Sequence, residues 1–356
     1  MDKEVYICLE SGEVFKGYRF GADGDIIGEL VFTTGMGGYI ETLTDPSYYG
    51  QIVMQTFPLI GNYGIISEDM ESKKSYVSAY VVREKCDEPS NFRCEGSLDA
   101  FLKAQGVIGV WGVDTREITK IVRQYGVANA LITDNPKNID IDKIKAYRVE
   151  NAVKSVSANS PALSPSNEHK FNVVLLDYGA KGNIVRELNK RGCNVAIMPH
   201  DTKAEDILKL NPDGIMLSNG PGDPAENTDE IEEIKKLVGK VPIFGICLGH
   251  QLLALAMGGE TTKLKYGHRG VNQPVKSLET GRTYISSQNH GYAVISESLE
   301  GKGKISYINA NDNTCEGVDY PEYKAFSVQF HPEACSGPKD TEFIFNRFID
   351  MMGGNE

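Results

Sequence analysis

The 356-residue sequence lacks the features of several large protein classes. It has no apolar stretch long enough to span a bilayer, and its charged start, Met1-Asp2-Lys3-Glu4, predicts no signal peptide. Positive charge is in deficit, because 37 lysines and arginines stand against 49 acidic residues, a net charge of −12. We therefore expect no membrane segment, and neither nucleic acid nor an anionic membrane as a partner, since both attract basic surfaces.

Cysteines are few and widely spaced, and none forms a Cys-x-x-Cys pair; the positions are Cys8, Cys86, Cys94, Cys193, Cys247, Cys315 and Cys335. Their odd number and wide spacing favour a reducing, cytoplasmic location over a disulfide framework or a zinc site.

Nucleotide-binding motifs are missing too. No Gly-Lys is followed by Ser or Thr, and Gly-x-Gly-x-x-Gly does not occur. We expect this chain to carry no metal and no cofactor.

The length allows two domains with their own cores. Residues 1–150 read as a mixed α/β domain. Residues 151–170 are rich in Ser, Asn and Pro and predict a linker. From residue 171 to 356, strand and helix patterns alternate, which is typical of an α/β domain with a mostly parallel central sheet. Residues 261–328 predict an antiparallel extension of that sheet.

Four unusual segments follow directly after predicted strands of the second domain: Asp177–Lys181, Ser218–Pro224, the turn around Cys247, and Gln329–Glu333. In a parallel sheet, ligands gather beyond the carboxyl ends of the strands. The coincidence of these segments therefore predicts a site at that edge.

The sequence is organised around one of these segments, in which Gly245-x-Cys247-x-Gly249 lies between a predicted strand and an apolar helix. Flanking glycines permit a sharp turn that presents the central side chain. A thiol at a helix N-terminus is also favoured as the thiolate. A buried core cysteine is the alternative for Cys247 alone, but the flanking glycines favour a nucleophile.

A thiolate nucleophile needs a base and an orienting group. His331 ends a predicted strand, and Glu333 follows two residues later, held by Pro332. This spacing lets Glu333 accept from one ring nitrogen while the other faces Cys247. A surface pair is the alternative. A metal site that gathers His250, His290 and His331 is disfavoured, because no spacing resembles a zinc motif.

The turn Asn219–Gly222 could stabilise an oxyanion through its backbone N–H groups, together with the N–H of Leu248. An ordinary Pro-Gly turn is the alternative. In the first domain, Ser47 follows Pro46 and, from local sequence, predicts only a turn residue.

These motifs, in this order, resemble those of class I glutamine amidotransferases. The residues concerned are Gly245–Gln251, Ser218–Pro224 and His331–Ala334. The first domain narrows the likeness: Met36–Glu41, Leu43–Tyr48, Ile60–Asn62 and Val113–Arg116 resemble the small subunits of carbamoyl phosphate synthetases. The resemblance covers essentially the whole chain.

The resemblance implies that Cys247 attacks the carboxamide of L-glutamine, with His331 as base and Glu333 as its orienting group. It implies glutamine contacts at Ser47, Gly220, Gly222, Leu248, Gln251, Asn289, Gly291 and Tyr292; Tyr292 stands where the family often has phenylalanine. It also implies a large-subunit partner that carries ATP and a divalent metal, receives ammonia, and makes carbamoyl phosphate for arginine and pyrimidine synthesis. We expect residues 1–150 to dock this partner.

Other interpretations remain open from the sequence. Another class I amidotransferase would explain the second domain but not residues 1–150. A stand-alone cysteine hydrolase would need no partner. A non-catalytic scaffold that kept the fold would not need Cys247, His331 and Glu333 together.

Overall fold

The computed structural model describes residues 3–137, 139–334 and 336–354. The chain divides into two compact units, Met1–Glu150 and Asn151–Glu356. Across the described ranges, no helix is both long and apolar enough to cross a membrane. Each unit has its own buried apolar core, so each is described separately.

The first unit is built on a closed barrel. Its strands, as far as the chain is described, are β1 Glu4–Leu9, β2 Val14–Gly21, β3 Ile26–Thr33, β4 Gln51–Gln55, β5 Leu59–Ile60, β6 Ala79–Val81, β7 Glu84–Lys85, β8 Ile108–Trp111 and β9 Ala128–Thr133. The barrel runs in the order β1-β2-β8-β6-β4-β3-β9, while β5 and β7 pair separately. Parallel and antiparallel pairs both occur, so the mixed α/β architecture predicted for this domain is confirmed.

Helices cover part of this barrel: α1 Tyr39–Thr44, α2 Leu98–Gln105, α3 Thr115–Tyr125 and α4 Ile141–Ala146, with single 3-10 turns at Pro46–Tyr48 and Ser67–Asp69. Side chains cap three of the four helices, because Ser97, Asp114 and Asp140 each accept a backbone N–H of the first turn. The buried leucines of α2, Leu98 and Leu102, belong to the core of this unit.

The second unit contains one large sheet. In the described residues its strands are β10 Ala162–Ser164, β11 Phe171–Asp177, β12 Cys193–Pro199, β13 Gly214–Leu217, β14 Ile243–Ile246, β15 Thr261–Ser277, β16 Thr283–Val294, β17 Lys304–Asn309, β18 Cys315–Tyr320 and β19 Ala325–Val328. Their order is β10-β12-β11-β13-β14-β19-β18-β17-β15-β16. The segment β12-β11-β13-β14-β19 is parallel. The pairs from β19 to β16 are antiparallel, as predicted for the extension.

The helices of the second unit are α5 Ala152–Val156, α6 Gly182–Lys190, α7 Ala204–Lys209, α8 Thr228–Leu237, α9 Leu248–Ala256 and α10 Phe343–Ile349, with 3-10 turns at Pro224–Glu226, Ser296–Leu299 and Pro321–Tyr323 and a π-helical turn at Asp350–Gly354. Two buried clusters form the core. Leu217 and Leu252 lie in one cluster, and Phe244 and Phe348 lie in the other. Alternation along β13 and β14 sends neighbouring side chains into different clusters, as expected for a sheet covered on both faces.

The segment 151–170, which the sequence predicts as a linker, begins the second unit and contains regular structure. Ala152, Val153 and Val156 of α5 are buried. The strand β10 pairs antiparallel with β12. The apolar residues of α5 are few but share one helical face, so composition alone underestimates their packing.

The parallel strands bring the predicted segments to one edge. Cys247 directly follows β14, and Gln329 directly follows β19. Since β14 and β19 are neighbours, with Ile246 opposite Val328, the Cys247 turn and the Gln329–Glu333 segment start side by side.

Candidate active site

Cys247 lies where β14 passes directly into α9. Its backbone has φ 53° and ψ −103°, outside the regions that residues with a Cβ normally occupy. Such a conformation costs on the order of 1–3 kcal/mol and is found mainly at functional sites. The N–H of Cys247 donates to the carbonyl oxygen of Val328 at 2.9 Å. The neighbouring strand therefore fixes the strained turn.

Gly249 lets α9 begin against the end of β13. A Cβ on Gly249 would lie 2.2 Å from the carbonyl oxygen of Leu217, which is closer than a real contact allows. The N–H of Gly249 donates instead to the carbonyl oxygen of Ser218 at 3.0 Å. The second glycine of the Gly-x-Cys-x-Gly pattern is thus required by the close approach of two backbones.

The thiol of Cys247 is enclosed but lies at a helix N-terminus. The residue is 3% exposed, and its Sγ donates to the carbonyl oxygen of Asn289 at 3.6 Å. The N–H of Leu248 belongs to the first turn of α9, where backbone donors have no acceptor within the helix. These donors and the helix dipole favour negative charge at the sulfur and at an oxygen bound to the carbon that it attacks.

His331 supplies the imidazole. Its N–H donates to the carbonyl oxygen of Ser287 at 2.9 Å, which holds the backbone against β16. Its Nδ1 lies 2.7 Å from Oε1 of Glu333. Its Nε2 is buried and makes no close hydrogen bond within the described residues, but the ring interacts with the Cys247 thiol. Burial and Lys181 lower the pKa of His331, but Glu333 and the Cys247 thiol outweigh them and raise it to about 9.

Glu333 is held by a cation that the sequence did not identify as a site residue. The ammonium of Lys181 lies 2.6 Å from Oε1 of Glu333, and both side chains are buried. Burial alone would raise the pKa of Glu333, but Lys181 and His331 lower it to about 2. The carboxylate therefore stays ionised and orients the imidazole. Lys181 ends the predicted strand-end segment Asp177–Lys181, which was the available signal.

The turn after β13 lies against α9, as the oxyanion prediction requires. A Cβ on Gly220 would lie 2.2 Å from the carbonyl oxygen of Tyr178 and 2.8 Å from Cδ2 of Leu248. The side chain of Asn219 accepts the N–H of Lys181 at 3.0 Å. The loop that carries Gly220 borders the first turn of α9 and is tied to the loop that carries Lys181.

Gln251 lies in the first turn of α9, and its N–H donates to the carbonyl oxygen of Cys247 at 3.2 Å. Its Nε2 donates to the carbonyl oxygen of Tyr292 and to Oε1 of Gln329, each at 2.8 Å. The strand β16, which carries Asn289, Gly291 and Tyr292, thus contacts both the thiol and Gln251. Gln329 begins the predicted strand-end segment Gln329–Glu333, but the sequence assigned it no individual role.

For three further residues that the sequence predicts as glutamine contacts, the structure shows only the position in the fold. Gly222 has φ +90° and lies in the same loop as Gly220, next to Ala152. Gly291 lies between the contacting residues of β16. Ser47 belongs to the first unit, where it is buried in a 3-10 turn and its N–H donates to Oδ1 of Asp45 at 2.9 Å. Ser47 therefore forms part of the turn that the local sequence predicts.

His250 is structural. It is fully buried, and its Nδ1 lies 2.8 Å from the hydroxyl of Ser327. Burial lowers the pKa of His250 to about 3, so the ring is neutral at ordinary pH. It cannot serve as the proton acceptor for Cys247.

Among the described residues, one group offers metal-ligand atoms within 4.8 Å of one another: His268, His290 and Glu316. These atoms already belong to a hydrogen-bonded network. Gln288 donates to Glu316 at 3.1 Å, and Nδ1 of His290 lies 2.8 Å from the carbonyl oxygen of Tyr292. The network links β16 to β18.

Two family models match the chain. The model described as "Glutamine amidotransferase class-I" covers residues 174–351. The model described as "Carbamoyl-phosphate synthase small chain, CPSase domain" covers residues 7–132. The first includes Cys247, His331 and Glu333, and the second lies within the barrel unit.

Curated relatives match over nearly the whole chain. The carbamoyl phosphate synthase small chain of Clostridium perfringens is 53% identical over 347 residues, which are 96% of this chain and 98% of that one. The small chain of Fusobacterium nucleatum is 50% identical and covers 98% of each chain. That of Listeria monocytogenes is 48% identical and covers 100% of this chain and 98% of its own. With this similarity across both units, the chain belongs to the carbamoyl phosphate synthase small chain family.

Proposed function

We propose that this chain is the glutamine-hydrolysing subunit of a carbamoyl phosphate synthetase. The observation that carries the proposal is the strained, enclosed Cys247 beside an imidazole whose other nitrogen is bound by Glu333. This arrangement is suited to acyl transfer through a thioester, because it provides a nucleophile, a base and an orienting carboxylate.

In the first half of the reaction, His331 takes the proton of Cys247, and the sulfur attacks the carboxamide carbon of L-glutamine. The oxygen of the tetrahedral intermediate carries the negative charge, which we expect the N–H groups of Leu248 and Gly220 to stabilise. The C–N bond then breaks while His331 returns its proton to the nitrogen. Ammonia leaves, and a γ-glutamyl thioester remains on Cys247.

In the second half, His331 removes a proton from water, which attacks the thioester carbon. The C–S bond breaks, glutamate leaves, and the sulfur recovers the proton from His331. Throughout, Glu333 remains ionised because Lys181 and His331 hold its pKa at about 2.

We propose that L-glutamine is bound by Ser47, Gly220, Gly222, Leu248, Gln251, Asn289, Gly291 and Tyr292. Support comes from the second unit, where Asn289 contacts the thiol and Tyr292 contacts Gln251. The loop that carries Gly220 also lies against Leu248.

We further propose that ammonia passes to a large synthetase subunit, which holds ATP and a divalent metal and forms carbamoyl phosphate from bicarbonate in the cytoplasm. The names of the relatives as small chains support such a partner. Residues 1–150 are the proposed docking unit, because they match the family yet contain none of the catalytic residues.

The test is purification of the chain with its bound partner, followed by assay of carbamoyl phosphate from glutamine, ATP and bicarbonate. Cys247→Ala should abolish glutamine-dependent synthesis and leave ammonia-dependent synthesis intact. Failure of ammonia to restore synthesis in this variant would contradict separate sites. Glutamine hydrolysis without any carbamoyl phosphate would assign the ammonia to another pathway.

A further inference from the structure

Gln329 is completely buried directly after β19, two residues before His331. Its Oε1 accepts a hydrogen bond from Nε2 of Gln251 at 2.8 Å. Its own Nε2 is enclosed and has no hydrogen-bond partner among the described residues. A buried amide that uses only its acceptor is unusual, because an unpaired buried donor costs free energy. An apolar side chain of similar length would avoid that cost, which indicates that the acceptor has a purpose.

The orientation of both amides is determined by a backbone carbonyl. The carbonyl oxygen of Tyr292 can only accept, so the group of Gln251 that faces it at 2.8 Å must be the amide nitrogen. The second hydrogen of that nitrogen then points to Gln329, which must present its oxygen. Both donors of Gln251 are therefore used within the protein.

The remaining polar atom of Gln251 is its acceptor, Oε1, to which no hydrogen bond is made within residues 3–137, 139–334 and 336–354. Gln251 lies in the first turn of α9, and its N–H donates to the carbonyl oxygen of Cys247 at 3.2 Å, so the two residues are neighbours. The α-carbon of a glutamine whose carboxamide carbon meets the sulfur lies three bonds further on, within reach of such a neighbour. The donor at the α end of glutamine is the ammonium group.

We propose that Gln329 is a positioning residue that fixes Gln251 as an acceptor for the α-ammonium of glutamine. The inference rests on the proposed glutamine hydrolysis and deepens it. Without Gln329, the Gln251 amide would lose one of its two fixed partners and could rotate. The amide would then present its oxygen to the ammonium only part of the time, so the charge-assisted hydrogen bond would weaken.

The test compares two substrates, L-glutamine and 4-carbamoylbutanoate, which lacks the α-ammonium. Gln329→Met keeps the length of the side chain and removes the acceptor. We expect kcat/KM for glutamine to fall by roughly tenfold, mainly through KM, as one weakened hydrogen bond would produce. For 4-carbamoylbutanoate, the same variant should stay within about twofold of the wild type, because this substrate has no ammonium to bind.

Gln329→Glu keeps an oxygen acceptor of the same geometry, and we expect it to retain most of the preference for glutamine. Gln251→Met removes the acceptor itself and should lose at least as much as Gln329→Met. The double variant should lose little more than Gln251→Met alone, because Gln329 acts on the ammonium only through Gln251. Thermal melting of each holoenzyme checks that the variants are folded.

Equal losses on both substrates in Gln329→Met, or strictly additive losses in the double variant, would overturn the positioning role. If Gln329→Met does not fold, loss of the ammonium preference in Gln329→Glu would overturn it as well. Failure of the proposed function is a different result, because the wild-type holoenzyme would then hydrolyse neither substrate.

Discussion

The Glu333 carboxylate is shared by two positive partners, Lys181 at 2.6 Å and the His331 ring at 2.7 Å, and both contact the same oxygen. The imidazole orientation therefore depends on an ion pair that is fully enclosed. Ion pairs in such surroundings are sensitive to the loss of one member, because the remaining charge has no solvent to stabilise it.

His331→Asn should remove the proton transfer and leave the binding residues in place. We expect kcat for glutamine hydrolysis to fall by about 10²–10⁴-fold, the usual contribution of a general acid–base. Thioester formation on Cys247 should become slow, and any thioester that forms should persist; intact-protein mass spectrometry after mixing with glutamine would detect it. Unchanged turnover would remove His331 from the mechanism.

Lys181→Met should change the pH dependence of the reaction. Lys181 lowers the pKa of His331, which is nonetheless raised to about 9 by Glu333 and Cys247. Loss of the ammonium should raise that pKa further. Because the imidazolium accompanies the reactive thiolate, the alkaline limb of kcat/KM should move to higher pH. Lys190→Met, which changes an exposed lysine of α6, is the matched control. An alkaline limb that stays in place or moves down would contradict this role of Lys181.

The sequence indicated Cys247, His331 and Glu333 as the proposed catalytic residues, but it assigned no role to Lys181 or Gln329. The first three have local signals: two flanking glycines, a strand end, and a spacing of two residues. Lys181 lies far along the chain from Glu333, and a lone lysine after a strand is usually solvated. Gln329 begins one of the four predicted strand-end segments, but its role follows only from its hydrogen bond to Gln251, which no sequence pattern encodes.

At the scale of elements, the turn between β14 and α9 stores backbone strain at Cys247. Glycine occupies φ 53°, ψ −103° more easily than alanine. We therefore expect Cys247→Gly to be more stable than Cys247→Ala by about 1 kcal/mol in urea unfolding. Ala254 is buried within α9 and serves as the control. At this ordinary helical position, Ala254→Gly should lower the free energy of unfolding. Equal stability of the two Cys247 variants would show that the turn is unstrained.

Gly249→Ala should disrupt the packing of α9 against β13, because the new Cβ would meet the Leu217 carbonyl at 2.2 Å. We expect a loss of about 1–3 kcal/mol in the free energy of unfolding, with a larger loss of activity as the turn shifts. Gly96→Ala is the matched control, since a Cβ there meets nothing within 4 Å. A Gly249→Ala protein of normal stability would contradict the close approach.

The elements themselves were largely predictable in the second unit. Alternating strand and helix patterns gave β11 to β14 and α6, α8 and α9 to within a few residues, because each buries a strong apolar face. The regular structure in 151–170 was not predicted, since a five-residue helix and a three-residue strand have too short a pattern. Closure of the first unit into a barrel depends on long-range pairs such as β1 with β9, which local sequence does not specify.

At the scale of the whole molecule, the proposed catalytic residues Cys247, His331 and Glu333 belong to the second unit, while Ser47 belongs to the first. We propose that Ser47 contacts glutamine. Ser47→Ala should then raise KM for glutamine by about tenfold, the effect of one lost hydrogen bond, with a smaller effect on kcat. Ser67→Ala, in another 3-10 turn of the same unit, is the control. A Ser47→Ala enzyme with unchanged KM would confine glutamine binding to the second unit.

The segments that carry Cys247 and His331 leave the sheet from adjacent parallel strands, and the N–H of Cys247 donates to the carbonyl oxygen of Val328 on the other strand. Main-chain pairing therefore sets where the two segments start, at the roughly 4.8 Å spacing common to all sheets, and the hydrogen bond from His331 to Ser287 directs the second segment. Grafting this centre into another α/β scaffold would therefore require two neighbouring strands with the same register, in addition to the surrounding side chains.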